Sequence, residues 1–253
     1  MVSTLSRRGF LGCACCGPLA ASLTSSIGAL TPAYAAGKKT DFTADQALHI
    51  LKDGNRKFVA DTPDQTATAQ ILDPRIKHER RLEIAQGQAP FAVLVSCSDS
   101  RVPPELLFGR GLGELFIIRN AGNTVDITAL GSIEYAVAEL GVPLIVVMGH
   151  ERCGAVDAAL TIVEKNTTFP GNIGRMVEPI IPAALKAKSS ASANIDRAEL
   201  LDEAVRENVR RVVTRLRTAT DPLLLEPLQA GKLKVVGAHY ALEQGRVDFF
   251  MEN

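Results

Sequence analysis

Three short apolar runs stand out along the chain, at residues 91–96, 114–119 and 144–148. Their apolar residues are continuous rather than alternating, and the middle of the third, Ile145-Val146-Val147, is β-branched. That is the pattern of strands covered on both faces, as in a parallel sheet. Between and beyond them the apolar positions recur at helical spacing. Ile127, Leu130, Ile133, Val137 and Leu140 predict a helix stopped by Gly141. Residues 44–59 predict another, with Thr43 and Gln46 in capping-box register. Further helices are expected over 76–85, 155–163, 172–188 (kinked near Pro182), 196–217 and 222–230, with short strands at 232–240 and 246–250. A turn of helix is expected at 105–108, and loops at 61–70 and 189–192. Gly109, Gly111 and Gly113 lack the spacing of a phosphate loop and read as a tight connection.

Strands alternating with helices predict an α/β fold. The expected architecture is a central, mostly parallel sheet flanked by helices, with an N-terminal helical arm. In such sheets, sites form outside the carboxyl ends of the strands. Two polar clusters fall there. Cys97-Ser98-Asp99-Ser100-Arg101 follows the first run, and His150-Glu151-Arg152-Cys153 follows the third. If extended geometry persisted, Cys97, Asp99 and Arg101 would share one strand face.

Cysteine usage sharpens this picture. Of five cysteines, Cys13, Cys15 and Cys16 lie near the start, so the body holds only Cys97 and Cys153. They could form a disulfide. Alternatively, with His150, they supply three ligands of a type suited to zinc, leaving water or Asp99 for the fourth position. His49, His78 and His239 have no ligand-like spacing with the pair and read as surface or satisfied core groups.

The first residues have their own logic. Ser6-Arg7-Arg8-Gly9-Phe10-Leu11 precedes a long uncharged stretch and then Ala33-Tyr34-Ala35. This resembles a twin-arginine export signal with a signal-peptidase site. Residues 1–35 are thus expected to be a leader, recognised by the twin-arginine export machinery, and 36–253 one domain with an exported, periplasmic or extracytoplasmic destination. An uncleaved anchor is the alternative, although Gly12, Gly17, Pro18 and Gly28 dilute the stretch. Export of a folded chain would let a thiolate site assemble before it meets an oxidising compartment.

The chain carries 28 basic and 28 acidic side chains, which gives no argument for a nucleic-acid or membrane-surface partner. The basic cluster Arg206, Arg210, Arg211, Arg215 and Arg217 reads as a solvated face or an inter-helix contact.

Taken together, four motifs resemble the β-class carbonic anhydrases. They are Cys97-Ser98-Asp99-Ser100-Arg101, Arg119-Asn120-Ala121-Gly122-Asn123, Gly131-Ser132-Ile133-Glu134-Tyr135-Ala136 and Gly149-His150-Glu151-Arg152-Cys153-Gly154. The resemblance runs from Gly54-Asn55-Arg56-Lys57-Phe58 to the last strands. It implies one zinc ion on Cys97, His150 and Cys153, with Asp99 and Arg101 as a paired dyad. It implies reversible hydration of CO2 to bicarbonate and a proton by a zinc-held hydroxide, and a homo-oligomer, dimer or tetramer. Asp99 is implied as an occasional fourth ligand in a closed state. Family members closed by bicarbonate carry a tryptophan at the position of Leu94, alongside counterparts of Arg119 and Tyr135. COS or CS2 hydrolysis on the same scaffold, and a non-catalytic zinc or bicarbonate module, are the alternatives.

Overall fold

The three apolar runs become neighbouring strands. β1 (Ala92–Ser96) lies between β2 (Leu115–Arg119) and β3 (Leu144–His150), parallel to both. β4 (Lys234–Tyr240) continues the parallel sheet beside β3, and β5 (Val247–Phe250) closes it antiparallel, giving the order β2-β1-β3-β4-β5. Every residue of β1 and β3 is buried. Covering on both faces removes any benefit from polar alternation, which is why these runs are continuously apolar. In the β3–β4 register, Gly149 pairs with His239 and His150 with Tyr240.

The computed structural model describes residues 39–60 and 77–253. The expected leader at 1–35, the expected loop at 61–70 and the expected start of the second helix at Ile76 lie outside them. Among the described residues, no helix is long and apolar enough to cross a membrane. The helices are α1 (Ala44–Val59), α2 (His78–Ile84), α3 (Pro104–Leu107), α4 (Ile127–Ala138), α5 (Gly154–Lys165), α6 (Asn172–Val177), α7 (Ile181–Ser190), α8 (Arg197–Arg217) and α9 (Pro222–Gln229).

The N-terminal helix α1 begins at a reciprocal cap. The Gln46 amide donates to Thr43 Oγ1, and the Thr43 amide donates to Gln46 Oε1 at 2.8 Å. Its apolar stripe, Ala47, Leu48 and Leu51, packs on the sheet against Leu94, Val146 and Met148. A fully buried leucine contributes about 1.5–3 kcal/mol. Gly54 and Asn55 then fix where α1 sits. A Cβ on Gly54 would lie 2.0 Å from the Phe108 carbonyl oxygen, so only glycine permits this approach to α3. Asn55 is buried; its amide donates to the Gly245 carbonyl at 2.9 Å, and its oxygen accepts from Val247 N at 2.8 Å.

The opposite face of the sheet packs on α4, α8 and α9 through Ile133, Val137, Val209, Val213 and Leu224. Helices α5 and α7 form a third cluster with the first half of α8. The break in the 172–188 segment begins at a 3-10 turn, Glu178–Ile180, that contains Pro179, and Pro182 sits in the first turn of α7, where a missing N–H costs no hydrogen bond. Helix α7 also continues through Ser190 into the expected loop.

The arginines of α8 do more than face solvent or a neighbouring helix. Arg215 donates to the Val125 carbonyl, and Arg217 donates to the carbonyls of Val235 and Met251. Arg206 donates to Asp202, and both contact the buried His239 of β4. These guanidinium groups tie the helix to the sheet and to the turn before α4.

Candidate metal centre

Strand geometry delivers the ligands. Cys97 directly follows β1, and His150 is the last residue of the adjacent β3. After His150 the chain folds back through Arg152, whose φ of 52° is left-handed, so that Cys153 returns to the same spot as the N-cap of α5. Cys97 Sγ and Cys153 Sγ lie 3.9 Å apart. A disulfide requires about 2.05 Å, so both are free thiols, as the structure records. The three ligand atoms, with His150, fall within 4.8 Å of one another, and all three residues are buried.

This arrangement fits zinc. Two Zn–S bonds of about 2.3 Å at a tetrahedral angle place their sulfurs about 3.8 Å apart. His150 Nδ1 lies 2.8 Å from the Glu151 carbonyl. A carbonyl can only accept, so Nδ1 carries the proton and the Nε2 lone pair faces the sulfurs. Nε2 is buried with no hydrogen-bond partner. An orphaned buried acceptor costs about 1–3 kcal/mol, which a metal ion would offset.

Electrostatics separate the two thiols. Cys97 is drawn down, first by a hydrogen bond from Cys153 and then, against the effect of burial, by the Gly122 amide 3.3 Å away. Cys153 is pushed up by Cys97 and by burial. Without a cation, one thiolate excludes a second beside it; a divalent ion removes that exclusion.

Asp99 and Arg101 meet by a route other than the expected strand face. β1 ends at Ser96, and the Arg101 amide donates to Asp99 Oδ1 at 2.9 Å in a side-chain turn, while the Val102 amide donates to the Asp99 carbonyl. The Arg101 guanidinium then grips the same carboxylate with two bonds, Nε to Oδ1 at 2.9 Å and Nη2 to Oδ2 at 2.7 Å. This fork holds the Asp99 carboxyl well below the usual carboxylate range. Asp99 Oδ2 stands 3.9 Å from His150 Nε2, beyond hydrogen-bond reach, so the carboxylate borders the centre without entering it.

Residues 92–247 match the carbonic anhydrase family. This chain belongs to the carbonic anhydrase family. Similar relatives include the carbonic anhydrase of Mycolicibacterium smegmatis, 39% identical over 80% of this chain and 91% of that one. That of Pseudomonas aeruginosa is 42% identical over 65% and 75%. Among solved structures, a tetrameric β-carbonic anhydrase from Sordaria macrospora superposes with a TM-score of 0.63 at 26% identity, covering 81% of this chain and 96% of that one. A Coccomyxa β-carbonic anhydrase in complex with acetazolamide gives 0.60 at 27%, covering 78% and 82%. The β-class expectation is borne out in sequence and in fold.

Within this carbonic anhydrase, Arg119 has a place that motif matching alone did not reveal. Its Nε donates to the Cys97 carbonyl at 2.8 Å and its Nη2 to the Asp99 carbonyl at 2.7 Å. It therefore braces the loop carrying both residues from the neighbouring strand β2. Leu94 is fully buried on the α1 face of the sheet, whereas Tyr135 packs beside Phe116 on the opposite face. His49 and His78 are exposed and His239 is buried against Asp202, so none joins the centre.

Proposed function

We propose that this enzyme hydrates CO2 reversibly to bicarbonate and a proton, using one zinc ion held by Cys97, His150 and Cys153. The observation that carries the reading is the pair of free sulfurs 3.9 Å apart beside the unpartnered His150 Nε2. A zinc ion there would supply a Lewis acid that lowers the pKa of water and so furnishes the nucleophile for CO2.

The remaining work belongs to the chain. Three protein donors would leave one position for the reacting species. Arg101 keeps Asp99 from filling it, by engaging both carboxylate oxygens. Held ionised, Asp99 can only accept hydrogen bonds, so it orients the attacking water oxygen by taking its proton-bearing side. Two thiolates offset more of the metal's charge than imidazoles do. Water would then be acidified less than in a three-histidine site, and the hydration rate is expected to rise on the alkaline side of neutrality.

Self-association follows from the same reading, since the Sordaria macrospora relative is tetrameric. The deciding experiment is stopped-flow CO2 hydration by the zinc-loaded protein from neutral to alkaline pH, beside Cys153→Ser and Asp99→Ala. Zinc loss with inactivity in the first, and retained zinc with inactivity in the second, are the expected results. An inactive native protein at every pH would overturn the function, and a fully active Asp99→Ala would overturn the role of the carboxylate.

A further inference from the structure

Asn208 is a polar residue in an apolar stripe. It lies on the buried face of α8 beside Val205 and Val209, and only 2% of its surface is exposed. Its side-chain amide donates to the Gly122 carbonyl at 2.8 Å. The amide of the same glycine donates to Cys97 Sγ at 3.3 Å. The two peptide planes flanking Gly122 Cα are therefore held from opposite ends, one by Asn208 and the other by the sulfur.

Gly122 cannot hold this pose by itself. Its φ of +76° is open to glycine, and the next residue, Asn123, is also left-handed at 45°. A Cβ at position 122 would lie 2.5 Å from Ile180 Cδ1 and 3.1 Å from Ala155 Cβ, so the turn is wedged against α5 and the segment before α7. The turn is closed by the Asn123 amide, which donates to the Asn120 carbonyl at 3.0 Å, and the Asn208 bond adds a fixed point for the Gly122 carbonyl, where glycine has the widest choice of backbone angles. A leucine at 208 would complete the apolar stripe but leave the Gly122 carbonyl without its buried partner.

We infer that Asn208 is a positioning residue for the Cys97 sulfur, acting through Gly122 to keep an N–H aimed at it. The inference rests on Cys97 being a metal ligand, as proposed above. An N–H donated to a thiolate lowers the energy of the sulfur lone pairs. Partners behind a ligand typically alter metal affinity by about tenfold to hundredfold.

The test uses the full chain loaded with cobalt(II), whose sulfur-to-metal charge-transfer absorption reports the energy of the sulfur electrons, and zinc affinity from competition with a chelator. In Asn208→Leu the absorption is expected to move to longer wavelength and zinc affinity to fall by about tenfold or more. Asn208→Ser, smaller than the native side chain and too short to reach the carbonyl, is expected to do the same should the leucine variant not fold. A purely structural Asn208 would lower thermal stability and leave the absorption in place. A folded variant with native absorption and native zinc affinity overturns the inference. Native protein without thiolate-to-cobalt absorption would instead overturn the assignment of Cys97 as a ligand.

Discussion

Arg101 holds Asp99 at three points: two from its guanidinium, at 2.9 and 2.7 Å, and one from its own backbone amide at 2.9 Å. The backbone bond survives any substitution except proline, but the fork does not. In Arg101→Gln, Asp99 keeps its turn and loses its aim. It is then free to rotate toward the metal centre, whose His150 Nε2 is 3.9 Å away. We predict that zinc content stays native while the hydration rate falls by about tenfold to hundredfold. Metal analysis beside stopped-flow kinetics checks this; loss of zinc would show that Arg101 supports the ligands instead.

The buried group at α8 gives a pH-dependent prediction. Arg206 Nη2 lies 3.0 Å from His239 Nδ1, and a guanidinium only donates, so Nδ1 accepts and Nε2 carries the ring proton; Nε2 lies 2.6 Å from Asp202 Oδ1. Burial raises the Asp202 carboxyl, but His239 and Arg206 together bring it below its ordinary value. A depressed native value stabilises the fold above the unfolded value, about 3.9, and that stabilisation fades as pH falls through the native value. Asp202→Asn is expected to cost about 1–2 kcal/mol at pH 7, discounted because the carboxylate is one-third exposed. The gap should narrow below pH ~4. Urea denaturation of both proteins at neutral and acid pH measures it, and a gap constant with pH would refute the ionic origin.

Gly54 tests how α1 is seated. With the Phe108 carbonyl oxygen 2.0 Å from any Cβ there, Gly54→Ala must displace backbone rather than a yielding side chain. The expected loss is about 1–3 kcal/mol despite the higher helix propensity of alanine. Chemical denaturation reads it directly. An unchanged midpoint would mean that α1 can shift away from α3 without cost.

The leader expected at residues 1–35 gives a test of destination. If Arg7-Arg8 is the export signal, Arg7→Lys with Arg8→Lys leaves the chain in the cytoplasm, folded and zinc-competent. Cell fractionation with activity in each fraction checks this. Export of the double variant at native levels would refute a twin-arginine route.

Much of this was legible in the sequence because it rests on local rules. The cap of α1 depends on two residues three apart, and the ligand positions depend on where two apolar runs stop. Asp99 and Arg101 do not share a strand face, for a physical reason. β1 stops at Ser96, and the aspartate's own oxygen then captures a backbone amide two residues on, a choice no periodicity records. The basic residues of α8 were visible as charge, but their targets, such as the Val235 and Met251 carbonyls, exist only once the sheet is assembled. The contact of Asn208 with Gly122 joins positions 86 residues apart, with no motif at either end to announce the other.

The pairing of β3 with β4 has a consequence for coordination number. His239 sits opposite Gly149, one step short of His150. Successive strand side chains point to opposite faces, so the imidazoles of His150 and His239 project to opposite sides of the sheet. A slip of one residue would bring His239 opposite His150 and onto its side. The centre could then gain a fourth permanent donor and become a rivet, inert toward substrate. If zinc binds as proposed, the pleat of the sheet would thus decide whether the ion is reactive or merely structural, by keeping His239 on the far side from His150.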